Sequence, residues 1–401
     1  MGSSNHPQRQ VLHLSGKETP AAFTDFCDLL SSEGGRLLYL SQSMVHGALV
    51  INAELQGPDN ASLVEKAHLF AQKRSLHLEV VSLEGTSPEA KTCGVWVTVL
   101  GNLDDAQVVA RTGKVLLAHG FTLRKVESIG KSSLRGVNIL ARLEEELLAP
   151  RLSELRTELL ALGPQLSVDV AVQRDDLYRG SKRLLCMDVD STFVKGEFID
   201  EMAHLCGVKD EVAEITARAM RGELDFEASL RARVQLLAGL KVSRAMELCE
   251  HFDLTPGAAD LVKTVKRLGM RVGVVSGGFT FFVEMLKARF GLDFAFANEL
   301  EVAAGAFTGR VIGTVVDSKR KAQVLKDMSH VFDIRPEQTI AAGDGANDIE
   351  MLKAAGLGIA YQAKPLLQEV ADTRFNQSDR LDTLLYLMGY DAELLVGACR
   401  E

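Results

Sequence analysis

Two carboxylates two residues apart, Asp188 and Asp190, follow the apolar run Leu184–Met187. On an extended chain, residues two apart point to the same face, so this spacing predicts that both side chains project into one site. Held that close, two carboxylates repel unless a proton or a cation intervenes. The pair therefore suits phosphoryl transfer: one ionised aspartate attacks phosphorus, the other carries a proton, and Mg2+ neutralises the accumulated charge. Three further segments complete such a site. Val274-Val275-Ser276-Gly277-Gly278 runs into a helical stretch over 279–287, which makes an anion site from backbone N–H groups and a hydroxyl. Lys321 stands near the start of a helical stretch over 322–328. Ala341-Ala342-Gly343-Asp344-Gly345-Ala346-Asn347-Asp348 repeats the strand-end placement with two more carboxylates, and its glycines permit a tight turn around a ligand. Each segment alone is commonplace, as an Asp-rich turn, a βα turn, a solvated lysine or a helix N-cap. Their order along one chain points to a phosphoryl-transfer centre.

Parallel strands are the elements that can position these groups. From residue 182 the apolar runs Leu184–Met187, 272–275, 339–342 and 357–360 end abruptly in polar or glycine-rich turns, the rhythm of a parallel α/β sheet. Ligands bind beyond the carboxyl ends of such strands, so 188–192, 276–278 and 344–348 converge, with Lys321 between them. Residues 198–254 interrupt the rhythm with helical patterning and read as a cap over the site. Thr255-Pro256-Gly257 closes that insertion, with Pro256 expected in the first turn of a helix reaching 268.

Upstream the pattern changes. Helices are expected over 23–31 and 63–73 and strands over 36–42, 48–55 and 77–84. A second cycle has strands over 94–100, 122–129, 136–143 and 166–173, with helices over 105–118 and 147–162. Two ferredoxin-like βαββαβ units in series fit this alternation. The expected division is a flexible N-terminus 1–10, units 11–90 and 91–180, an α/β core 181–390 with its cap at 198–254, and a tail 391–401.

Composition fits soluble globular domains: 46% of the 401 residues are hydrophobic and 25% charged. A net charge of -9 with no Lys/Arg block argues against a nucleic-acid partner. Cys27, Cys93, Cys186, Cys206, Cys249 and Cys399 are scattered, with no C-x-x-C pair, which fits free thiols in a reducing compartment. The first ten residues carry no apolar signal core, and no stretch reaches the roughly 20 apolar residues of a membrane span. A cytoplasmic protein without a membrane partner is the expectation.

The four motifs, in this order, resemble the haloacid dehalogenase superfamily. Gly196-Glu197, the stretch from Ala219 to Phe226, the stretch from Ser229 to Val234, Ser276-Gly277-Gly278-Phe279 and Phe296-Ala297-Asn298 narrow the resemblance to its phosphoserine phosphatases, over roughly 182–385. Phe193 departs from that pattern, where leucine is usual. The resemblance implies a Rossmann-like parallel core with a helical cap and hydrolysis of O-phospho-L-serine, the last step of serine biosynthesis. It implies Asp188 as nucleophile, forming an aspartyl-phosphate, and Asp190 as general acid and base. Mg2+ is then held by Asp188, the Asp190 carbonyl and Asp344. Ser276, Gly277 and Lys321 hold the phosphoryl oxygens, and Asn347 and Asp348 support them. In the cap, Glu197 meets the substrate ammonium, Arg233 its carboxylate, and Met220 and Phe226 form the apolar wall.

Residues 11–180 resemble a tandem pair of ACT domains, modules that often bind amino acids, which implies L-serine as effector and a homodimer. Where the motif is Gly-x-Asp-x-Pro-Gly, this chain reads Gly16-Lys17-Glu18-Thr19-Pro20-Ala21, and Gly101-Asn102-Leu103-Asp104-Asp105 has no matching proline. These departures favour dimerisation over serine binding. The rival readings are a phosphatase of the same superfamily for another small phosphomonoester, a phosphotransferase, and a non-catalytic amino-acid sensor.

Overall fold

The structure, a computed structural model, describes residues 8–17, 19, 21–33, 36–57, 61–83, 92–101, 106–130 and 135–390. Two compact units divide at Met1–Ala90 and Lys91–Glu401. Among the residues singled out above, Glu18, Pro20, 102–105, the first seven residues and the tail 391–401 lie outside the described residues.

The first unit runs β1 (Gln8–Lys17), α1 (Ala22–Ser32), β2 (Arg36–Val45), β3 (Ala48–Gly57), α2 (Ala61–Lys73) and β4 (Leu76–Leu83). Its antiparallel sheet has the order β2-β3-β1-β4. Sequence periodicity had no strand at β1, yet β1 is central. Leu12 and Leu14, two apart on one face, pack with Phe26, Leu30, Ile51 and Leu55 in the core.

The second unit opens with the same cycle: β5 (Thr92–Gly101), α3 (Gln107–Ala118), β6 (Thr122–Ile129), β7 (Arg135–Glu144), α4 (Glu145–Leu166) and β8 (Val168–Arg174). The strand order β6-β7-β5-β8 repeats that of the first unit. The chain then enters β9 (Leu184–Met187) and the helical insertion, α5 (Phe198–Cys206), α6 (Lys209–Met220), α7 (Phe226–Gln235) and α8 (Val242–Glu250). It continues through α9 (Ala258–Arg267), β10 (Arg271–Phe279), α10 (Thr280–Phe290), β11 (Phe294–Ala303) and β12 (Ala306–Ile312). Last come α11 (Ser318–Val331), β13 (Thr339–Gly343), α12 (Ile349–Ala354), β14 (Gly358–Tyr361), α13 (Pro365–Val370) and β15 (Thr373–Phe375).

Parallel strands in the order β11-β10-β9-β13-β14-β15 form the core, with β12 antiparallel at one edge. At the other edge β15 pairs antiparallel with β8, Thr373 opposite Ala171 and Arg374 opposite Val170. The sheet therefore continues from the α/β core into the second βαββαβ unit. This pairing satisfies backbone groups that an open edge would leave exposed. Both faces of β9 are buried: Leu185 and Met187 pack towards one cluster, Leu184 and Cys186 towards the other. That is why its sequence is continuously apolar.

The cap's two stems meet. Val194 and Leu254 form an antiparallel bridge, and Lys195 N donates to Asp253 O at 2.9 Å. Phe198 anchors α5 by stacking on Phe282, ring centroids 4.1 Å apart. Pro256 does not sit inside the next helix: Gly257, at φ 78°, is the N-cap, and α9 starts at Ala258. A Cβ at Gly257 would lie 2.4 Å from Asp382 Oδ1, so the close approach of the helical turn Leu381–Met388 requires glycine there.

Candidate active site

The order β10-β9-β13 puts the topological switch point between β9 and β13, and the residues after both strands open there. Asp188 follows strand alternation into the site, and Asp190 reaches it by another route. The strand ends at Met187, and the chain turns over Val189–Phe193 with Ser191 at φ 57°. Asp188 keeps the direction of Leu184 and Cys186, towards α11. Its Oδ1 accepts from Val189 N at 2.7 Å and pairs with Lys321 Nζ at 2.8 Å. Asp190 is aimed by the turn instead. Its Oδ1 accepts from Phe198 N at 2.8 Å, and its Oδ2 accepts from Ser276 Oγ at 3.1 Å. The first residue of the cap thus orients one of the two aspartates.

Lys321 is fully buried, against the ordinary expectation for lysine. Its Nζ lies 2.8 Å from Asp188 and 2.7 Å from Asp348 Oδ1. Asp317, the residue that caps α11 by accepting from Arg320 N, fixes the helix start one turn before the lysine. Asp348 Oδ2 accepts from Gly345 N at 3.1 Å, so both its oxygens are engaged. Gly343 makes this packing feasible, because a Cβ there would lie 2.4 Å from the Asp348 carboxylate.

On the β10 side, Gly278 N donates to Ser276 Oγ at 2.7 Å, and a Cβ at Gly278 would sit 3.0 Å from Asp190 Oδ2. Asn298 braces this turn, its Nδ2 donating to Gly277 O at 2.8 Å while its Oδ1 accepts from Val316 N. A pocket with an empty volume of about 500 Å³, its open mouth included, is lined by Asp188, Asp190, Glu197, Phe226, Arg233, Gly277, Asp344 and Asn347. Ile199, Leu230 and Lys364 also line it.

The structure does not bring Met220 to this pocket. It ends α6 with its side chain 69% exposed, and Ile199 and Leu230 supply apolar wall beside Phe226. Lys364 and Asn298 went unassigned in the sequence reading. Lys364 comes shortly after β14, which ends at Tyr361, much as Asp344 comes directly after β13, so a widened strand-end rule could have found it. Asn298 lies in a recognised motif but offered no chemistry until its two-sided hydrogen bonding was visible.

Negative charge accumulates around the buried Lys321 ammonium. Burial pushes Asp188 well above the carboxylate range, Asp348 adds to the rise, and Lys321 opposes it. Asp190 is also raised by burial, against its bonds from Phe198 and Ser276. Asp344 is pushed up to about 6, by burial and then by Asp348. Burial, then Asp190 and Asp344, push Glu197 up to about 7. Burial works against the charge of Lys321, but Asp188 and Asp348 more than offset it and raise its pKa. Arg233 is lowered by burial, against the pull of Glu197. A site so rich in raised carboxylates calls for a cation. Oxygens of Asp188, Asp344 and Asp348 lie within 4.8 Å of one another, hard donors of the kind Mg2+ takes. Because Asp348 is spent on Lys321 and Gly345, Asp188 and Asp344 are the pair that fits as ligands.

Comparison with known proteins adds to this geometry. The model for haloacid dehalogenase-like hydrolases matches residues 185–353. The chain is similar to the phosphoserine phosphatase of Streptomyces coelicolor, 40% identical over 387 residues, which is 96% of this chain and 92% of that protein. It is 36% identical to phosphoserine phosphatase SerB2 of Mycobacterium tuberculosis over 94% of this chain and 92% of that one. Among solved structures it is similar to a haloacid dehalogenase family hydrolase of Salmonella enterica serovar Typhi, with TM-score 0.64 and 28% identity over 73% of this chain and 98% of that chain. The probable phosphoserine phosphatase of Vibrio cholerae, in unliganded form, matches with TM-score 0.56 and 32% identity over 76% of this chain and 88% of that chain.

Proposed function

Since the chain belongs to the phosphoserine phosphatases of the haloacid dehalogenase type, we propose that it hydrolyses O-phospho-L-serine to L-serine and phosphate through the residues around Asp188. The observation that carries the assignment of roles is the buried Asp188–Lys321–Asp348 triad at the mouth of β9, with Asp190 held separately by the cap.

Lys321 and Val189 N hold Asp188 Oδ1, which leaves Oδ2 to attack phosphorus. As the Asp188–phosphorus bond forms, the bond from phosphorus to the seryl oxygen breaks. Asp190, whose carboxyl pKa burial raises above the usual carboxylate value, gives its proton to that oxygen, and L-serine leaves. The Asp190 carboxylate then takes a proton from water, whose oxygen attacks phosphorus and breaks the aspartyl-phosphate. Gly277 and Asn347 line the pocket, and the resemblance assigns the Gly277 backbone, Lys321 and Ser276 Oγ, whose hydroxyl donates to Asp190 Oδ2 in this structure, as donors for the phosphoryl oxygens. Asp188 and Asp344, with the Asp190 carbonyl, are the expected Mg2+ ligands. Bound there, the ion supplies positive charge for the phosphoryl oxygens.

Substrate selection belongs to the cap. Arg233 and Glu197 face the same pocket with opposite charge, suited to the carboxylate and the ammonium of an amino acid. Phe226, Ile199 and Leu230 exclude water from the methylene between them. Cap closure over bound substrate gates the site.

Residues 11–90 and 91–180 serve as ACT-like modules for assembly, and the enzyme works as a homodimer in the cytoplasm, in the last step of serine biosynthesis. Self-association is supported by β2, an edge strand on which Tyr39 is 56% and Val45 64% exposed, since an apolar open edge invites pairing. L-serine as effector rests on the resemblance alone. A Mg2+-dependent panel of phosphoserine, phosphothreonine and unrelated phosphomonoesters, run with and without L-serine and with product analysis in the presence of an acceptor alcohol, tests substrate, metal, feedback and transfer together. Comparable turnover of all esters would sink the phosphoserine assignment, and tight serine binding without any hydrolysis would make the chain a sensor.

A further inference from the structure

We infer that Asp169, on β8 of the second βαββαβ unit, is a positioning residue for the active site, holding the loop that backs Asp344. The inference rests on the reading of Asp344 as a Mg2+ ligand. Asp169 is 3% exposed, and among the described residues backbone N–H groups, not cations, are its partners. Its Oδ1 accepts from Asn376 N at 2.6 Å and Gln377 N at 2.9 Å, and its Oδ2 accepts from Ser378 N at 2.9 Å. Three successive N–H groups converging on one carboxylate form an anion nest. This nest begins where the β8–β15 ladder stops, at Arg374 opposite Val170. The side chain of Asp169 thus continues the work of the ladder after the backbones diverge.

The anchored loop leads to the catalytic centre in short steps. Asn376 Oδ1 accepts from Ala363 N at 3.2 Å, and Gln362 N donates to Phe375 O at 2.6 Å. Gln362 Nε2 donates to Ser378 O at 3.3 Å. Gln362 is itself held at φ 43°, a left-handed conformation that a long side chain keeps only when its surroundings impose it. Two residues on, Lys364 N donates to Asp344 O at 2.9 Å, and Lys364 Nζ lies 3.8 Å from Asp344 Oδ2. Residues 362–364 are therefore clamped between the Asp169 nest and Asp344. Loss of the nest frees this segment, and with it the backbone brace and the ammonium that set the orientation of Asp344.

Gln173 provides the control. It sits on the same strand, and its Nε2 crosses to Leu387 O at 2.9 Å without touching the loop. The test is calorimetric titration of Mg2+ into the substrate-free full chain, for wild type, Asp169→Asn, Asn376→Ala and Gln173→Leu, with unfolding temperature recorded alongside. Asparagine at 169 places an N–H₂ against the loop's N–H groups, and alanine at 376 removes the link to Ala363. Both variants are expected to raise the Mg2+ dissociation constant about tenfold, the effect of losing a partner that orients a ligand. Gln173→Leu should lower the unfolding temperature while keeping wild-type Mg2+ affinity. The inference is overturned if Gln173→Leu weakens Mg2+ as much as the other two. It is equally overturned if Asn376→Ala changes the constant by less than about twofold, whether or not Asp169→Asn folds. A wild type that binds no Mg2+ would remove the metal reading itself, whereas wild-type binding with unchanged variants removes only the role of Asp169.

Discussion

Chelating the metal should make this enzyme less stable as the pH rises, the reverse of ordinary acid denaturation. The perturbation is removal of Mg2+ with EDTA, which leaves the raised carboxylates of the site without a cation. Asp344 moves from 3.8 to about 6 and Glu197 from 4.5 to about 7. A carboxylate whose pKa is raised in the folded state binds more protons there than in the unfolded chain. Its stabilising contribution is complete below the unfolded pKa and is lost as pH climbs through the folded value. At about 1.4 kcal/mol per pH unit, each of the two groups is worth about 3 kcal/mol across a window from about pH 4 to 7. Asp188 and Asp190 shift in the same direction and act in the same sense. Carboxylates lowered by pairing, such as Asp293, contribute in the opposite sense but below that window. At roughly 2 °C per kcal/mol for a unit of this size, the unfolding temperature in EDTA should fall by about 5–10 °C between about pH 5 and 8. Differential scanning calorimetry of the Lys91–Glu401 transition across pH, with EDTA and with saturating Mg2+, measures it. Mg2+ should flatten the curve, because ligation favours the ionised forms, and Glu197→Gln should remove part of the slope in EDTA. An EDTA curve that is flat or rises through this window, or that coincides with the Mg2+ curve, would refute the electrostatic account of the site.

Asp188→Asn should abolish turnover in a steady-state phosphate-release assay while circular dichroism stays that of wild type; retention of more than about a thousandth of kcat would mean another nucleophile. Lys321→Met leaves Asp188 and Asp348 facing each other without their ammonium. It should cost about 3–5 kcal/mol in chemical denaturation and at least about a hundredfold in kcat. Arg233→Ala should lower kcat/KM for phosphoserine about a hundredfold and that for a phosphomonoester without the carboxylate by less than about threefold; equal losses on both would remove the carboxylate role.

Much of the candidate site was legible because it is built from strand ends. Asp188, Ser276 and Asp344 each follow an apolar run, and parallel topology requires those ends to meet. Lys321 was legible only through its place between motifs, since nothing local distinguishes a buried lysine from a solvated one. Its burial depends on Asp188 and Asp348, 133 and 27 residues away, arriving on either side of Nζ. Met220 shows the opposite case. Its motif was recognised, but whether a side chain at a helix end turns inward is set by packing, and here it is exposed. Strand β1 escaped notice because its polar and apolar residues mix at the amino end, and only its neighbours β3 and β4 make it central.

By itself, the sequence determined the candidate site: two aspartates two residues apart, a Ser-Gly-Gly turn, a lysine and an acidic strand end, in an order that parallel strands must bring together. It also determined the helical insertion and the twofold βαββαβ rhythm. Tertiary structure alone decided that Asp190 is aimed by Phe198 N of the cap rather than by strand alternation. It alone decided that Asp348 serves Lys321 and Gly345 rather than lying free for a metal. It also joined β8 to β15, so that Asp169 reaches a loop 207 residues away. Sequence patterns record which face of an element is apolar. Which edge meets which edge, and where a carboxylate finds its N–H groups, follows only from packing distant segments together.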